Sequence, residues 1–190
     1  MSEAVSALAG ATSKGFVDVT EVGLVGMVTV RGDLGDAEFG KVMSAALGVE
    51  VPEARRMLVT EGGKLLWMSP DEVLFVCAHA QAEARISALS EALDGHHHLV
   101  ANVSDARAVF EVSGTGSAVR EALAKLTPAD MRPSHLPVGE VRRTRLAQVP
   151  AAIWFDDENR ATIVCFRSVA GYVFGLLAQA SKPGSELGHF

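Results

Sequence analysis

The run Leu66-Trp67-Met68-Ser69-Pro70-Asp71-Glu72-Val73-Leu74-Phe75-Val76-Cys77 returns in the second half of the chain as Ile153-Trp154-Phe155-Asp156-Asp157-Glu158-Asn159-Arg160-Ala161-Thr162-Ile163-Val164-Cys165. Each copy sets a tryptophan before an acidic turn and follows it with an apolar strand that carries a cysteine. The tryptophans match at 87 positions and the cysteines at 88, while Val30-Arg31-Gly32 matches Val112-Ser113-Gly114 at 82. An offset that drifts by only a few residues is what loop insertions leave in a duplicated sequence, whose copies bury one another's apolar faces. The simplest reading is an α+β fold built from a duplicated β-α-β-β-α-β unit with a pseudo-two-fold axis. Its halves span about 24–104 and 105–180, inside a single domain of residues 24–182. Matched strand positions make Cys77 and Cys165 core residues, where free cysteine is common.

Working outward, Leu24–Val30 has strand composition, and Gly32-Asp33-Leu34-Gly35-Asp36 breaks it with Asp36 placed as a helix cap. Phe39, Val42, Met43, Ala46 and Leu47 then recur with helical spacing, and Gly48 stops the run. Strands are predicted at 56–60, 64–68, 73–78 and 99–103, with a helix carrying Ala82, Ile86, Leu89 and Leu93 between the last two. The second half repeats this order. It has a strand at 108–113, a helix on Val119, Ala122, Leu123 and Leu126, and strands at 141–149, 151–155 and 161–166. A last helix, capped by Ser168, carries Val169, Tyr172, Val173, Leu176 and Leu177. Residues 1–23, rich in Ala, Ser, Gly and Thr, are read as an N-terminal arm, mobile or ordered against a partner. Residues 183–190 are a C-terminal tail.

Composition narrows the function. The 190 residues carry a net charge of −6, which argues against a sequence-independent nucleic-acid binder, because that needs a dense basic footprint. Hydrophobic residues make up 48%, excluding disorder for most of the chain. No run reaches the ~20 apolar residues of a membrane span. Glu3 precedes any apolar run, and two cysteines are too few for a disulfide framework, so a cytoplasmic globular protein is expected. Charge is uneven: residues 1–95 hold 7 basic and 14 acidic side chains, and residues 96–190 hold 10 and 9. That asymmetry suits oriented docking on a partner.

Candidate chemistry is sparse. In His96-His97-His98 alternate residues of a strand face opposite ways, so only two imidazoles can converge, and no Cys-x-x-Cys or His-Glu-x-x-His stands nearby. No metal is expected. Arg142, Arg143 and Arg145 form the basic cluster, with Arg143 and Arg145 on one strand face, open to an anion, an acidic partner or simply water. Gly114-Thr115-Gly116 resembles a phosphate loop but lacks the third glycine, and is read as a strand-to-helix turn. The pairs Asp71-Glu72 and Asp156-Asp157-Glu158 are read as solvated turn carboxylates. No residue is assigned a catalytic or cofactor-binding role. The last helix has no charged residue from Ser168 to Ser181, and such a face marks contact with another chain.

Several motifs in order carry a resemblance. They are Val30-Arg31-Gly32-Asp33-Leu34, Leu66-Trp67-Met68-Ser69-Pro70-Asp71-Glu72, Asn102-Val103-Ser104-Asp105-Ala106-Arg107, and Asp130-Met131-Arg132-Pro133 through Leu136-Pro137-Val138-Gly139. Thr144-Arg145-Leu146-Ala147, and Arg167-Ser168 leading into Tyr172, complete the order. Over roughly residues 25–180 the chain resembles the gamma subunit of heterotetrameric sarcosine oxidase. It departs from that pattern at Val73, where the family usually has Trp, and at Val173-Phe174, which only approximates a second aromatic pattern.

The resemblance implies a fold like the folate-binding domain of aminomethyltransferases. It also implies a structural, non-catalytic subunit that assembles with alpha, beta and delta subunits, alpha being the expected contact. That complex oxidatively demethylates sarcosine to glycine, making hydrogen peroxide and formaldehyde or methylene-tetrahydrofolate. FAD, FMN and NAD belong to alpha and beta, zinc belongs to delta, and none of them belongs to this chain. Asp130 falls where aminomethyltransferases place a folate-contacting Asp, and is read as a remnant contact or a loop cap. The alternative reading is a free-standing folate-binding or one-carbon-transfer protein of the same fold.

Overall fold

A computed structural model describes residues 4–190. The chain divides into two compact units, residues 25–104 and residues 4–24 with 105–190. Two short strands come first, β1 (Thr12–Ser13) and β2 (Asp18–Glu21). The unit of 25–104 runs β3 (Val25–Arg31), α1 (Ala37–Leu47), β4 (Met57–Thr60), β5 (Gly63–Ser69), β6 (Glu72–Ala78), α2 (Ala82–Ala92) and β7 (Leu99–Asn102). The remainder runs β8 (Arg107–Ser113), α3 (Gly116–Ala124), β9 (Val141–Leu146), β10 (Val149–Asp157), β11 (Arg160–Phe166) and α4 (Ala170–Ala180).

Local chemistry sets the ends of α1. The Asp36 carboxylate accepts from the Glu38 N–H, satisfying a donor that the first helical turn leaves free. Gly48, at φ +69, closes the helix by donating to the Ser44 carbonyl. Phe39, Met43 and Leu47 then point into a core shared with Val28, Val30, Leu65, Phe75 and the α2 residue Leu89. In the other unit, Val119, Ala122 and Leu123 of α3 and Val173 and Leu177 of α4 meet Phe110, Ile153, Phe155 and Ile163. Each such Val, Leu, Ile, Met or Phe side chain, taken wholly out of water, contributes about 1.5–3 kcal/mol.

Both sheets are antiparallel. Their strand orders are β4-β5-β6-β3-β7 and β9-β10-β11-β8-β2-β1. With β3 matched to β8 and β6 to β11, the orders coincide, and β2 stands where β7 does. The closing strand of the second sheet therefore comes from the N-terminus. Where an arm is expected over 1–23, Val17 and Val19 are instead buried to 2% and 0% exposure, and β2 pairs with β8 in the register Val19↔Val112. Glu21 anchors the preceding turn by accepting from the Gly10 N–H at 2.7 Å and the Ser6 hydroxyl at 2.9 Å. A four-residue strand with one core valine is too short to show a period in sequence.

The register also corrects the repeat. Gly26 lies opposite Cys77 and Ala108 opposite Cys165, so the 82- and 88-residue offsets agree. Leu65 lies opposite Phe75 and Ile153 opposite Ile163, however, which makes the match of β5 to β10 also 88. Trp154 thus corresponds to Leu66 and Trp67 to Phe155, and the tryptophan match at 87 is one residue out of register. One residue reverses the face. Trp154, 1% exposed, lies on the opposite side of its strand from the core residues Ile153 and Phe155. Both strands bulge just beyond this point, at Trp67/Ser69 and Phe155/Asp157, again 88 apart.

Two smaller expectations fail. The single strand expected over 141–149 is a hairpin, turned at Ala147-Gln148 with Ala147 at φ +50. No Asn-Gly or Asp-Gly pair announces it, and the Ala147 N–H is held by the Leu126 carbonyl at 2.7 Å. Ser168 does not cap α4, because residues 167–169 form a 3-10 turn and the helix starts without a side-chain cap.

Candidate functional site

The three histidines do not converge. His98 Nδ1 lies 2.9 Å from the His96 carbonyl oxygen, and the His96 ring meets Phe39 edge-on. Among the described residues no three His, Cys, Asp or Glu side chains gather as metal ligands. His97 and His98 line a cleft of about 420 Å³ with Arg31, Asp33, Asp71 and Leu99. There Arg31 is paired with Glu72 at 2.7 Å and Asp71 at 3.6 Å. The acidic pair read as solvated is split: Asp71 is exposed, whereas Glu72, 6% exposed, accepts from Thr29 Oγ1 at 2.7 Å and ties β3 to β6. In the other unit Asp156 accepts from Trp154 Nε1 at 3.0 Å and from Thr162 Oγ1.

Arg143 and Arg145 share the exposed face of the edge strand β9, as strand alternation requires. Arg142 lies on the other face, opposite Ile153, and donates to the His135 carbonyl and to Glu140, both at 2.6 Å. The Gly114-Thr115-Gly116 turn is built for packing. A Cβ on Gly114 would stand 2.8 Å from Val17 Cγ1, and one on Gly116 would stand 2.4 Å from the Glu158 carbonyl oxygen. The chain itself fills the space that a phosphate would need.

Asp130 stands in the loop between α3 and β9. Both its oxygens are clasped by the Arg132 guanidinium, with Nε at 2.9 and 3.0 Å, and one also accepts from the Arg132 N–H at 3.0 Å. These hydrogen bonds and the adjacent cation hold the carboxyl well below the usual carboxylate range. Asp130 thereby caps its own loop, holding the residue two positions on.

The structure adds Arg120, which sequence reading passed over. It is 2% exposed, and its Nη1 donates to the carbonyls of Met131 and Leu136 at 2.8 and 2.9 Å. Its guanidinium stacks 4.0 Å over the Phe155 ring and pairs with Glu158 at 3.5 Å. Burial lowers its pKa, and the Glu158 carboxylate opposes that shift. This side chain pins the long loop after α3. Nothing local marks it, because its partners lie 11 to 38 residues away.

The neighbouring Glu121 holds the C-terminal tail. Its carboxylate accepts from the N–H groups of Leu187, Gly188 and His189, and these bonds lower its pKa. Lys125 adds bonds to the Ala180 and Ser185 carbonyls at 3.2 and 2.6 Å. Both cysteines are free and buried, and burial pushes the Cys165 thiol up to about 11. On α4, Val173 and Leu177 face the core while Tyr172 stays 51% exposed. Phe166, 44% exposed, carries the Arg107 guanidinium stacked 4.2 Å above its ring.

The sequence comparisons agree on one family. The family described as sarcosine oxidase, gamma subunit, matches residues 31–183. The sarcosine oxidase subunit gamma of Arthrobacter sp. is 31% identical over 155 residues, covering 80% of this chain and 74% of that protein. A chain of the heterotetrameric sarcosine oxidase of Corynebacterium sp. U-96, solved with pyrrole 2-carboxylate, superposes with a TM-score of 0.79. It is 26% identical, over 90% of this chain and 87% of that one. The glycine cleavage system aminomethyltransferase T of Bartonella henselae shares the fold, at a TM-score of 0.59 and 17% identity over 84% of this chain and 44% of that one.

Proposed function

Because this chain belongs to the sarcosine oxidase gamma subunit family, we propose that it is a structural, non-catalytic subunit of a heterotetrameric sarcosine oxidase, with the large alpha subunit as its main contact. The observation that carries this reading is the 0.79 superposition on a chain of that heterotetramer, over nine-tenths of this one. The internal chemistry agrees with it. Asp130, Glu72, Arg120 and Glu121 each make hydrogen bonds within their own unit. In this reading oxidative demethylation of sarcosine to glycine, with hydrogen peroxide and formaldehyde or methylene-tetrahydrofolate as products, takes place in partner subunits. FAD, FMN, NAD, tetrahydrofolate and zinc are handled there, in the cytoplasm.

The test is recovery of the tagged chain from its own host under gentle conditions. The expected eluate holds two large chains and one small chain with it, identified by mass, and shows flavin absorbance. A solitary, colourless chain would overturn the reading. If that chain then bound a reduced folate at micromolar concentration in calorimetry, the free-standing folate binder would replace it.

A further inference from the structure

Strands β7 and β2 stand in matching places, and their ladders agree bond for bond. Beside β7 the Val103 N–H donates to the Met27 carbonyl at 2.9 Å, and beside β2 the Val22 N–H donates to the Val109 carbonyl at 3.0 Å. Through the registers with β3 and β8, Val100 corresponds to Val19 and Asn102 to Glu21. Bonded pairs alternate along an antiparallel ladder. Ala101 therefore directs its N–H and C=O toward β3, while those of Val100 and Asn102 point away from it. In the second unit the equivalent outward groups are used: β1 pairs with Val19 and Thr20, and the Glu21 N–H donates to the Ala11 carbonyl at 2.8 Å. In the first unit β7 ends the sheet, and among the described residues no strand lies on its outer side. The opposite edges show no such contrast, since β4 and its counterpart β9 both end their sheets.

Nothing on β7 protects that edge. Leu99-Val100-Ala101-Asn102 has no charge, no proline and no bulge, and Leu99 is 51% exposed. Such an edge takes up an extended peptide, whose backbone supplies affinity and whose side chains supply selectivity. Charge says what kind of peptide fits. Glu83, bonded to Asn102 Nδ2 at 2.6 Å, stands at one end of β7, and exposed Asp33 stands at the other, in the cleft with Leu99. Arg31, the guanidinium of that cleft, is already paired with Glu72 at 2.7 Å. Residues 25–104 hold six basic and eleven acidic side chains. Resting on the subunit reading above, we infer that the β7 edge receives an extended, basic segment of another oxidase subunit. It runs antiparallel to β7, as β1 does to β2, and bonds to the backbone of Val100 and Asn102. Complementary charge of this kind steers association and weakens with salt.

The test compares the full chain alone with the co-purified assembly by residue-resolved hydrogen–deuterium exchange. The Val100 and Asn102 amides should exchange fast in the chain alone and slow by about tenfold or more on assembly, while the Ala101 amide, already bonded to β3, changes less. This measurement needs no variant, so it stands whatever a substitution does to folding. Val100→Pro removes an outward donor without touching a bond to β3, which an edge strand tolerates. It should match the parent in circular dichroism and lower recovery of the flavin-bearing chains by about tenfold. Val59→Pro, where the N–H points outward from β4, should leave recovery unchanged. Asp33→Asn should weaken recovery and flatten its dependence on salt. Unchanged exchange at Val100 and Asn102 in an assembly that does form, or equal losses from Val100→Pro and Val59→Pro, would overturn the docked strand while the subunit reading stands. Recovery indifferent to salt and to Asp33→Asn would overturn the basic partner. An isolated chain that sediments as a dimer, dissolved by Val100→Pro, would put a second copy of this chain on the edge instead. A parent chain that brings down no flavin-bearing chain would contradict the subunit reading and this edge together.

Discussion

The two halves share the order of five strands, the bulge near the ends of β5 and β10, and the cysteine of the adjoining strand, yet they differ in three places. The first flanks β3 with β7, the next element along the chain, and the second flanks β8 with β2, drawn from the N-terminal segment with β1 beyond it. The first has Gly40 directly after the core aromatic Phe39, and the second has the buried Arg120 directly after Val119. The outer helix of the first is charged and that of the second is not. The lesson is that a duplicated core tolerates divergence at its closing strand, its loop anchor and its outer helix, because none of these disturbs the pairs that bury the sheet.

Removing residues 1–22 tests the first difference and should have the largest effect. It strips Val17 and Val19 from the core and leaves the β8 edge unpaired, a template for aggregation. Soluble yield should collapse, and cooperative urea unfolding should be lost. A truncated chain that unfolds like the parent would make the N-terminal strand dispensable and the comparison wrong. Arg120→Ala tests the second difference. It leaves two buried carbonyls without donors, removes the stack on Phe155, and should cost about 3–5 kcal/mol in urea unfolding. Gly40→Ala meets only Val51 Cγ2 at 3.4 Å and should gain up to about 1 kcal/mol of helix stability. Equal losses at both sites would erase the distinction.

The C-terminal tail sharpens the contrast more gently. The Glu121 carboxyl has a folded-state pKa below its ordinary value of 4.5. Its contribution is therefore complete above that value and is lost as pH falls through the lowered folded value. Amide exchange at Leu187, Gly188 and His189 should accelerate in acid ahead of global unfolding, and Glu121→Gln should reproduce that acceleration at neutral pH. Tail amides that exchange alike in parent and variant would show that the latch lies elsewhere.

The sequence carried the fold where periods were long. The Phe39–Leu47 stripe and the Cys77 and Cys165 strands are where their spacing puts them. It misled at the tryptophans, because a bulky residue draws an alignment by one position and strand alternation converts that slip into the wrong face. It fell short at β2 and at the Ala147 turn, which have four core-poor residues and no turn signature. Arg120 was illegible for a different reason: an arginine in an amphipathic helix reads as surface until the carbonyls of a distant loop arrive to satisfy it. The charge-free α4, by contrast, was visible from composition alone, since a lack of charge needs no partner to be recognised.

Hydroxyl-radical footprinting of the chain alone and in the co-purified assembly tests the central claim most directly, because the single tyrosine, Tyr172, reports the α4 face. Tyr172, on the charge-free helix whose composition marks contact with another chain, should lose most of its oxidation on assembly, while the α2 face around Ser87 stays equally accessible to the radical. Tyr172 labelled to the same extent in both samples would contradict the account.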